Sequence, residues 1–443
     1  MSRRYFGTDG VRGRVGQFPL TSEFALRLAS ATAKTLGLAG HAVVIGHDTR
    51  QSAPMFSAAL TAGFLAAGVD VRTVGALPTP AISYMVTTTG AALGAVISAS
   101  HNLAPDNGIK FFDEHGGKLS DATELAIEAA LDDPARTLPS DQLGRLSTID
   151  DASTRYGQWC TDLLPDPSAV SGLRVVVDCA NGATATVAPH VLRRLVKDVI
   201  AVGAAPSGRN INDGCGSTAP QLLQNTVVAE RADLGIAFDG DGDRLLMADH
   251  TGALVDGDQL LYILAAHRHN IGALTGPVVG TVMSNMGLEE ALHSRGIDFV
   301  RAKVGDRYVL ETLTARSGVL GGENSGHILM LDTTPTGDAL AAAITVLSVL
   351  ADTGATLADL AAGMPRYLQV LESVTVPPHF DLSNEPDITA AIESATKRLG
   401  RNGRLIVRAS GTEPVIRVMV EGRDNQLVNE LAATLVTAIR TVT

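Results

Sequence analysis

Aromatic side chains are scarce: Phe, Trp and Tyr together make up 4% of the 443 residues, with a single tryptophan. A chain so poor in flat rings has little surface on which bases could stack, and its formal net charge of −12 repels a phosphodiester backbone. Nucleic acid is therefore not an expected partner. Cysteines number three, Cys160, Cys179 and Cys215. The count is odd and shows no C-x-x-C or metal-binding spacing, which predicts reduced thiols and a cytosolic, cytoplasmic setting. No apolar h-region follows the opening Met1-Ser2-Arg3-Arg4, so no signal peptide is expected. The longest apolar run, Ala339 to Ala351, lies between Asp338 and Asp352. It falls short of the roughly 20 residues that a bilayer demands, so it reads as a buried helix, and no membrane partner is expected. No G-x-x-x-x-G-K-[ST] occurs. Gly214 to Ala219 fits G-x-G-x-x-A, but Arg209-Asn210-Ile211-Asn212-Asp213 before it is no buried strand, so dinucleotide binding is not expected.

What the chain has in quantity is apolar residues, 45%, and 45 glycines. That balance suits an α/β protein with many tight strand-to-helix turns, and the length calls for three or four domains. One pattern occurs three times. An apolar strand (Val43-Val44-Ile45, Val175-Val176-Val177, Val278-Val279) leads through a turn into a helical stretch. A second strand follows (Val69 to Val74, Val199 to Val202, Ile297 to Ala302), then a third that runs into a polar loop. Strands alternating with helices predict α/β units, whose ligands collect beyond the strand carboxyl ends. From about residue 370 the order changes to strand, helix, strand, turn, strand, helix, the reading of a smaller α+β domain. The expected divisions are 1–150, 151–252, 253–365 and 366–443.

The three polar loops differ in chemistry. Asp239-Gly240-Asp241-Gly242-Asp243 places carboxylates at alternate positions after the apolar strand Leu234 to Phe238. Such a run can converge on one hard cation, with the glycines letting the backbone bend around it. An EF-hand is excluded, because its sixth and twelfth positions would be Arg244 and His250 in place of Gly and Glu. Ser100 follows the strand Leu93 to Ile97, with His101, Asn102 and Lys110 nearby. A serine hydroxyl is a weak nucleophile that needs a base or an electrophile, and Ser100 gains weight from the acidic triplet in the matching loop of the next unit. The third loop, Gly321 to His327, offers Glu323, Ser325 and His327, groups suited to sugar hydroxyls. In the last domain, Arg408-Ala409-Ser410-Gly411-Thr412 joins two strands as an anion nest, with Arg417 on the following strand.

Taken in order, Phe6 to Gly13, Ala99-Ser100-His101-Asn102, Asp239 to Arg244, Gly322 to His327 and Arg408 to Pro414 resemble the motifs of the α-D-phosphohexomutases over nearly the whole chain. The resemblance implies three similar mixed-sheet α/β domains and a smaller C-terminal α+β domain around a central cleft. It implies a phosphorylated Ser100, with Asp239, Asp241, Asp243 and a phosphoserine oxygen holding one Mg²⁺ per subunit, and a sugar 1,6-bisphosphate as intermediate and activator. Arg12, Lys110 and His101 are the implied charge and proton handlers. Arg244, Lys303, Glu323, Ser325 and His327 are the implied sugar contacts, and Arg408, Ser410, Gly411, Thr412 and Arg417 the implied phosphate contacts. Phe6 to Gly13, Lys303 to Arg307 and Ile211 to Thr218 favour a hexosamine phosphate, glucosamine phosphate, over mannose or glucose phosphate. That substrate would place the chain in the supply of UDP-N-acetylglucosamine and cell-wall precursors. The nearest competing reading is a phosphomannomutase or phosphoglucomutase of the same fold, and a more distant one a metal-dependent sugar phosphatase; a homodimer is expected from the family alone. Leu103 stands where the family has proline, removing a backbone restraint beside the serine.

Overall fold

A computed structural model describes residues 4–377, 380–410 and 414–442. They divide into two compact units: residues up to 282 together with 298–361, and residues 283–297 together with the chain from 362 onward.

The first unit contains three sheets that repeat one plan. In each, a central strand is flanked by two parallel neighbours, and the second neighbour pairs antiparallel with a return strand. In the first sheet Ala42–His47 is central, Asp70–Ala76 and Leu93–Ile97 flank it, and Asp106–Asp113 returns. In the second these places fall to Arg174–Asp178, Asp198–Val202, Leu234–Phe238 and Leu245–Asp249. In the third they fall to Val278–Thr281, Phe299–Ala302, Leu320–Gly322 and Ile328–Met330. The threefold pattern of the sequence is thus a threefold pattern of topology. Each chemistry-bearing loop connects the third strand to its return strand. Val11–Arg14 and Leu146–Thr148 extend the first sheet at its two edges, and Leu254–Val255 extends the second.

Leu93–Ile97 and Leu234–Phe238 are buried at every position, which explains why they read as continuous apolar runs with no alternation. The run around Ala339 forms the helix Ala339–Thr353, most of it buried. Asp338 caps it by accepting the Ala341 N–H at 2.9 Å, and Gly354 at φ 66° ends it with its N–H on the Leu350 carbonyl. Both oxygens of Asp338 also accept the hydroxyl of the fully buried Tyr156 at 2.9 Å.

The second unit has a three-stranded antiparallel sheet with Val415–Gly422 between Leu368–Thr375 and Gly403–Ala409. The helices Pro386–Leu399 and Asn425–Val442 share its core. In the latter helix Val428, Leu431, Ala432, Leu435, Val436 and Ile439 are buried, the spacing of a single apolar stripe. Among the described residues no helix is long and apolar enough to cross a membrane, and the three cysteines are buried and unpaired.

Replacing Asp338 by Ala removes the cap and orphans the Tyr156 hydroxyl, and should cost about 2 kcal/mol, read as a fall in thermal midpoint. Burial holds the Asp338 pKa up at about 6, against 3.8 for a free carboxyl. Its contribution to stability is therefore complete below pH 3.8 and is lost as pH rises to about 6. The parent should lose stability over that window relative to Asp338→Asn; parallel pH profiles of the two would refute this.

Candidate active site

Ser100 sits at the end of the buried strand Leu93–Ile97 with φ 50°, a left-handed conformation that side-chain-bearing residues rarely adopt. Its side chain is almost fully buried, and its Oγ donates to Asp239 Oδ2 at 2.6 Å. The serine and metal loops therefore meet, as the equivalence of their strands predicts. Gly240 is what lets them: a Cβ there would lie 2.7 Å from the Ser100 carbonyl oxygen and 2.6 Å from Asn212 Nδ2.

Asp239 anchors its own loop, with Oδ1 accepting the N–H groups of Gly242, Asp243 and Arg244 at 3.1 Å each. Asp241 Oδ2 accepts from Thr79 Oγ1 at 2.6 Å and from Lys110 Nζ at 2.9 Å. One oxygen from each of Asp239, Asp241 and Asp243 can be chosen so that all three lie within 4.8 Å of one another. Asp241 Oδ1 and Asp243 Oδ1 are buried and have no hydrogen-bond partner among the described residues. Burial, reinforced by the charges of Asp243 and Asp241, pushes the Asp239 carboxyl well above its ordinary range. Unpartnered carboxylate oxygens gathered against their mutual repulsion fit a hard divalent cation, so the triplet could hold a metal ion.

Cations ring this cluster. Lys110 is buried, with Nζ 2.9 Å from Asp241, 3.0 Å from Asp9 and 3.8 Å from Asp243. Burial opposes its charge, but Asp241, Asp9 and Asp243 outweigh that and raise its pKa, so it stays protonated. It carries charge here and is not poised as a base. Asp9 pairs with Arg12 and accepts Lys118 Nζ at 2.5 Å. Burial works against the Asp9 carboxylate, yet Lys110, Lys118 and Arg12 hold its pKa well below the usual range. Lys118 also pairs with Asp306, and Arg307 bonds Asp121 and, at 3.0 Å, Glu124 of the helix Asp121–Ala130. His101 Nδ1 lies 3.4 Å from Ser100 Oγ. Burial first, then Arg244 and Arg12, lower its pKa to about 4, so it is a neutral imidazole. His327 stands between Asp243, 3.8 Å away, and Asp306, 3.5 Å away. Burial disfavours its charge, but these carboxylates raise its pKa to about 9.

A cavity of 380 Å³ opens onto this cluster. The predicted residues Arg12, Ser100, His101, Asp243, Arg244, Glu323 and His327 line it, together with Gly7, Thr8, Asp9, Gly10 and Asp306. Asp239, Asp241 and Lys110 do not line it; Asp239 holds the Ser100 hydroxyl, and Lys110 holds Asp241. Ser325 shares the Glu323 loop, but its Oγ is buried and does not line the cavity. Lys303 is exposed, with Nζ over the Tyr308 ring at 5.6 Å. Arg408 and Arg417 belong to the second unit, where they face each other across the ladder, and Ser410 N–H donates to the Val415 carbonyl. Gly411 and Thr412 lie outside the described residues.

Asp9, Asp306, Lys118 and Thr79 escaped the sequence reading. The first two stand inside stretches already singled out, Phe6 to Gly13 and Lys303 to Arg307. Lys118 follows Gly116-Gly117, and Thr79 follows Pro78, with no spacing that marks either.

The chain belongs to the phosphoglucomutase/phosphomannomutase family. Its α/β/α domains I, II and III match residues 3–137, 156–252 and 256–367, and its C-terminal domain matches residues 371–438. Within that family the chain is 53% identical to a phosphoglucosamine mutase of Methylobacillus flagellatus, over 99% of both chains. It is 51% identical to one of Alkalilimnicola ehrlichii, over 99% of this chain and 98% of that one. In fold it resembles a family member from Burkholderia thailandensis, with TM-score 0.81 and 22% identity over 98% and 97% of the two chains. It also resembles an N-acetylphosphoglucosamine mutase of Aspergillus fumigatus solved with GlcNAc-6P and magnesium, with TM-score 0.67 and 18% identity over 99% and 96%.

Calorimetric titration with Mg²⁺ or Mn²⁺ should show one site per chain, weakened roughly tenfold or more by Asp243→Asn. Equal affinity in parent and variant would remove the triplet from cation binding.

Proposed function

We propose that this chain interconverts glucosamine 6-phosphate and glucosamine 1-phosphate, with Ser100 as the carrier of the phosphoryl group. The observation that carries the reading is the 2.6 Å contact of Ser100 Oγ with Asp239, inside a carboxylate triplet and at the wall of a sugar-sized cavity. Identity of about half to relatives named phosphoglucosamine mutase supports the choice of sugar.

Asp239, Asp241, Asp243 and an oxygen of the phosphorylated serine would hold one Mg²⁺. A cation bound there neutralises charge on the phosphoryl oxygens during transfer. In the first half-reaction the 1-hydroxyl of the sugar 6-phosphate attacks phosphorus on Ser100. The new O1–P bond forms, the Oγ–P bond breaks, and Ser100 Oγ regains a proton. The product is the 1,6-bisphosphate. After that molecule turns over, Ser100 Oγ attacks its 6-phosphoryl group, the O6–P bond breaks, and O6 takes the proton, leaving the 1-phosphate. Arg12 and Arg244 line the cavity beside Ser100 and present charge to the group in transit. Lys110 stays charged and balances the carboxylates. His101, neutral and beside Oγ, can take or return the proton. Glu323, which lines the cavity, orients sugar hydroxyls.

The phosphate away from the reacting carbon would be held by Arg408, Ser410, Gly411, Thr412 and Arg417. Arg408 and Arg417 stand directly opposite each other on the ladder, which brings two guanidinium-bearing side chains to one face of the sheet. The family-model matches support dividing the chain near residues 150, 252 and 365.

A substrate panel tests the reading. Glucosamine 1-phosphate should be turned over with kcat/KM roughly tenfold or more above glucose 1-phosphate and mannose 1-phosphate. Ser100→Ala should lower turnover on the order of a thousandfold or more with its thermal midpoint near the parent's. Preference for either neutral sugar would move the chain to another branch of the family. Steady release of inorganic phosphate would favour a phosphatase.

A further inference from the structure

The serine loop is gripped from behind by two side chains that the chemistry above leaves unused. Arg50 follows the strand Ala42–His47 and is among the largest fully buried side chains of the protein, 1% exposed. All five of its guanidinium donors are engaged. Nε donates to Asp48 Oδ2 at 2.8 Å. Nη1 donates to the carbonyls of Leu103 and Asp106 at 2.5 and 2.9 Å. Nη2 donates to those of Ser100 and Asn102 at 3.1 and 2.7 Å. Four of the five bonds thus end on the backbone of residues 100–106.

The second grip comes from the neighbouring α/β domain. Asn212 lies in the Ile211 to Thr218 stretch that the sequence singles out and the chemistry does not absorb. Its Nδ2 donates at 2.9 Å to the same two carbonyls, Ser100 and Asn102. The remaining backbone group of Ser100 is fixed as well. Its N–H donates to Ser98 Oγ at 2.9 Å, and Ser98 Oγ donates to Asp48 Oδ2 at 2.6 Å. Asp48, which also binds Arg50, therefore ties both sides of the serine into one network.

A buried guanidinium is costly unless its donors are satisfied, and here four of the five are satisfied by carbonyls of a single loop, which ties that loop to a rigid group. What those bonds constrain is a left-handed serine with φ 50°. Such backbone persists only where its surroundings over-determine it. If the loop relaxed, Ser100 would turn and Oγ would swing from Asp239. Phosphoryl transfer tolerates little misplacement, and this Oγ must serve two half-reactions in one position.

We propose that Arg50 and Asn212 are positioning residues for phosphoryl transfer at Ser100: their donors clamp the carbonyls of the serine loop and keep Oγ aimed at the carboxylate triplet in both half-reactions. The inference rests on Ser100 as the phosphoryl carrier, so Ser100→Ala is measured alongside. Asn212 has φ 59°, so Asn212→Gly removes the two bonds and retains the backbone conformation. Arg50→Lys keeps the charge and loses the fork. With glucosamine 1-phosphate as substrate, Asn212→Gly should lower kcat about tenfold and Arg50→Lys about a hundredfold, each with KM within about twofold of the parent. The double variant should lose less than the product of the single losses, because both side chains hold the same carbonyls. A parent-like kcat in folded Asn212→Gly, beside an inactive Ser100→Ala, overturns the positioning role and leaves the carrier role standing. So does a fall in activity that only tracks the loss of folded protein. An active Ser100→Ala overturns the carrier role itself. If Arg50→Lys does not fold, Asn212→Gly decides.

Discussion

Three carboxylates cannot be packed within a few ångströms of one another, out of water, unless positive charge stands close by. That electrostatic requirement organises the first unit. Lys110 reaches the triplet from the return strand of the first sheet, and Asp9 links it to Arg12 and Lys118. Lys118 passes the chain of charges on to Asp306, and His327 closes it beside Asp243. Three loops from three sheets are thus held together by alternating charge as well as by apolar packing. The same network keeps Lys110 charged, while burial, Arg244 and Arg12 keep His101 neutral.

The threefold plan explains why these groups meet. Each loop leaves its sheet at the same topological place, between the third parallel strand and the antiparallel return. Repeating one scaffold and varying one loop gives a buried serine, a carboxylate triplet and a turn bearing Glu323 and His327 from equivalent positions. Close approach is then a matter of small residues. Gly240 allows contact with the serine loop, and Gly326, where a Cβ would lie 2.1 Å from the Leu245 carbonyl oxygen, allows the third loop to lie against the second.

Much of this was legible in the sequence because it is periodic or alternating. The three apolar strands, the buried helix after Asp338, the Asp239–Asp243 run and Ser100 after its strand all announce themselves by local pattern. The apolar pattern starts a strand at Ile297, whereas the strand begins at Phe299 and Ile297 falls in the second unit. What stayed hidden depends on long-range pairing. Lys118 acquires meaning only through Asp9 and Asp306, 109 and 188 residues away. Arg50 reads as an ordinary charged residue until five partners between positions 48 and 106 surround it. Lys110 was recognisable as a site residue, but whether it held or released its proton depended on Asp9 and Asp241 arriving beside it. Lys303 shows the reverse: its motif marks it for the site, while its ammonium lies over a tyrosine ring on an exposed segment.

Ser100 is only 1% exposed and its hydroxyl faces carboxylates and a neutral imidazole. The hydroxyl is closed off from bulk water yet forms part of the cavity wall, so a reagent reaches it only by first fitting that cavity. The shape of the cavity therefore filters what can react with this oxygen before any chemistry begins.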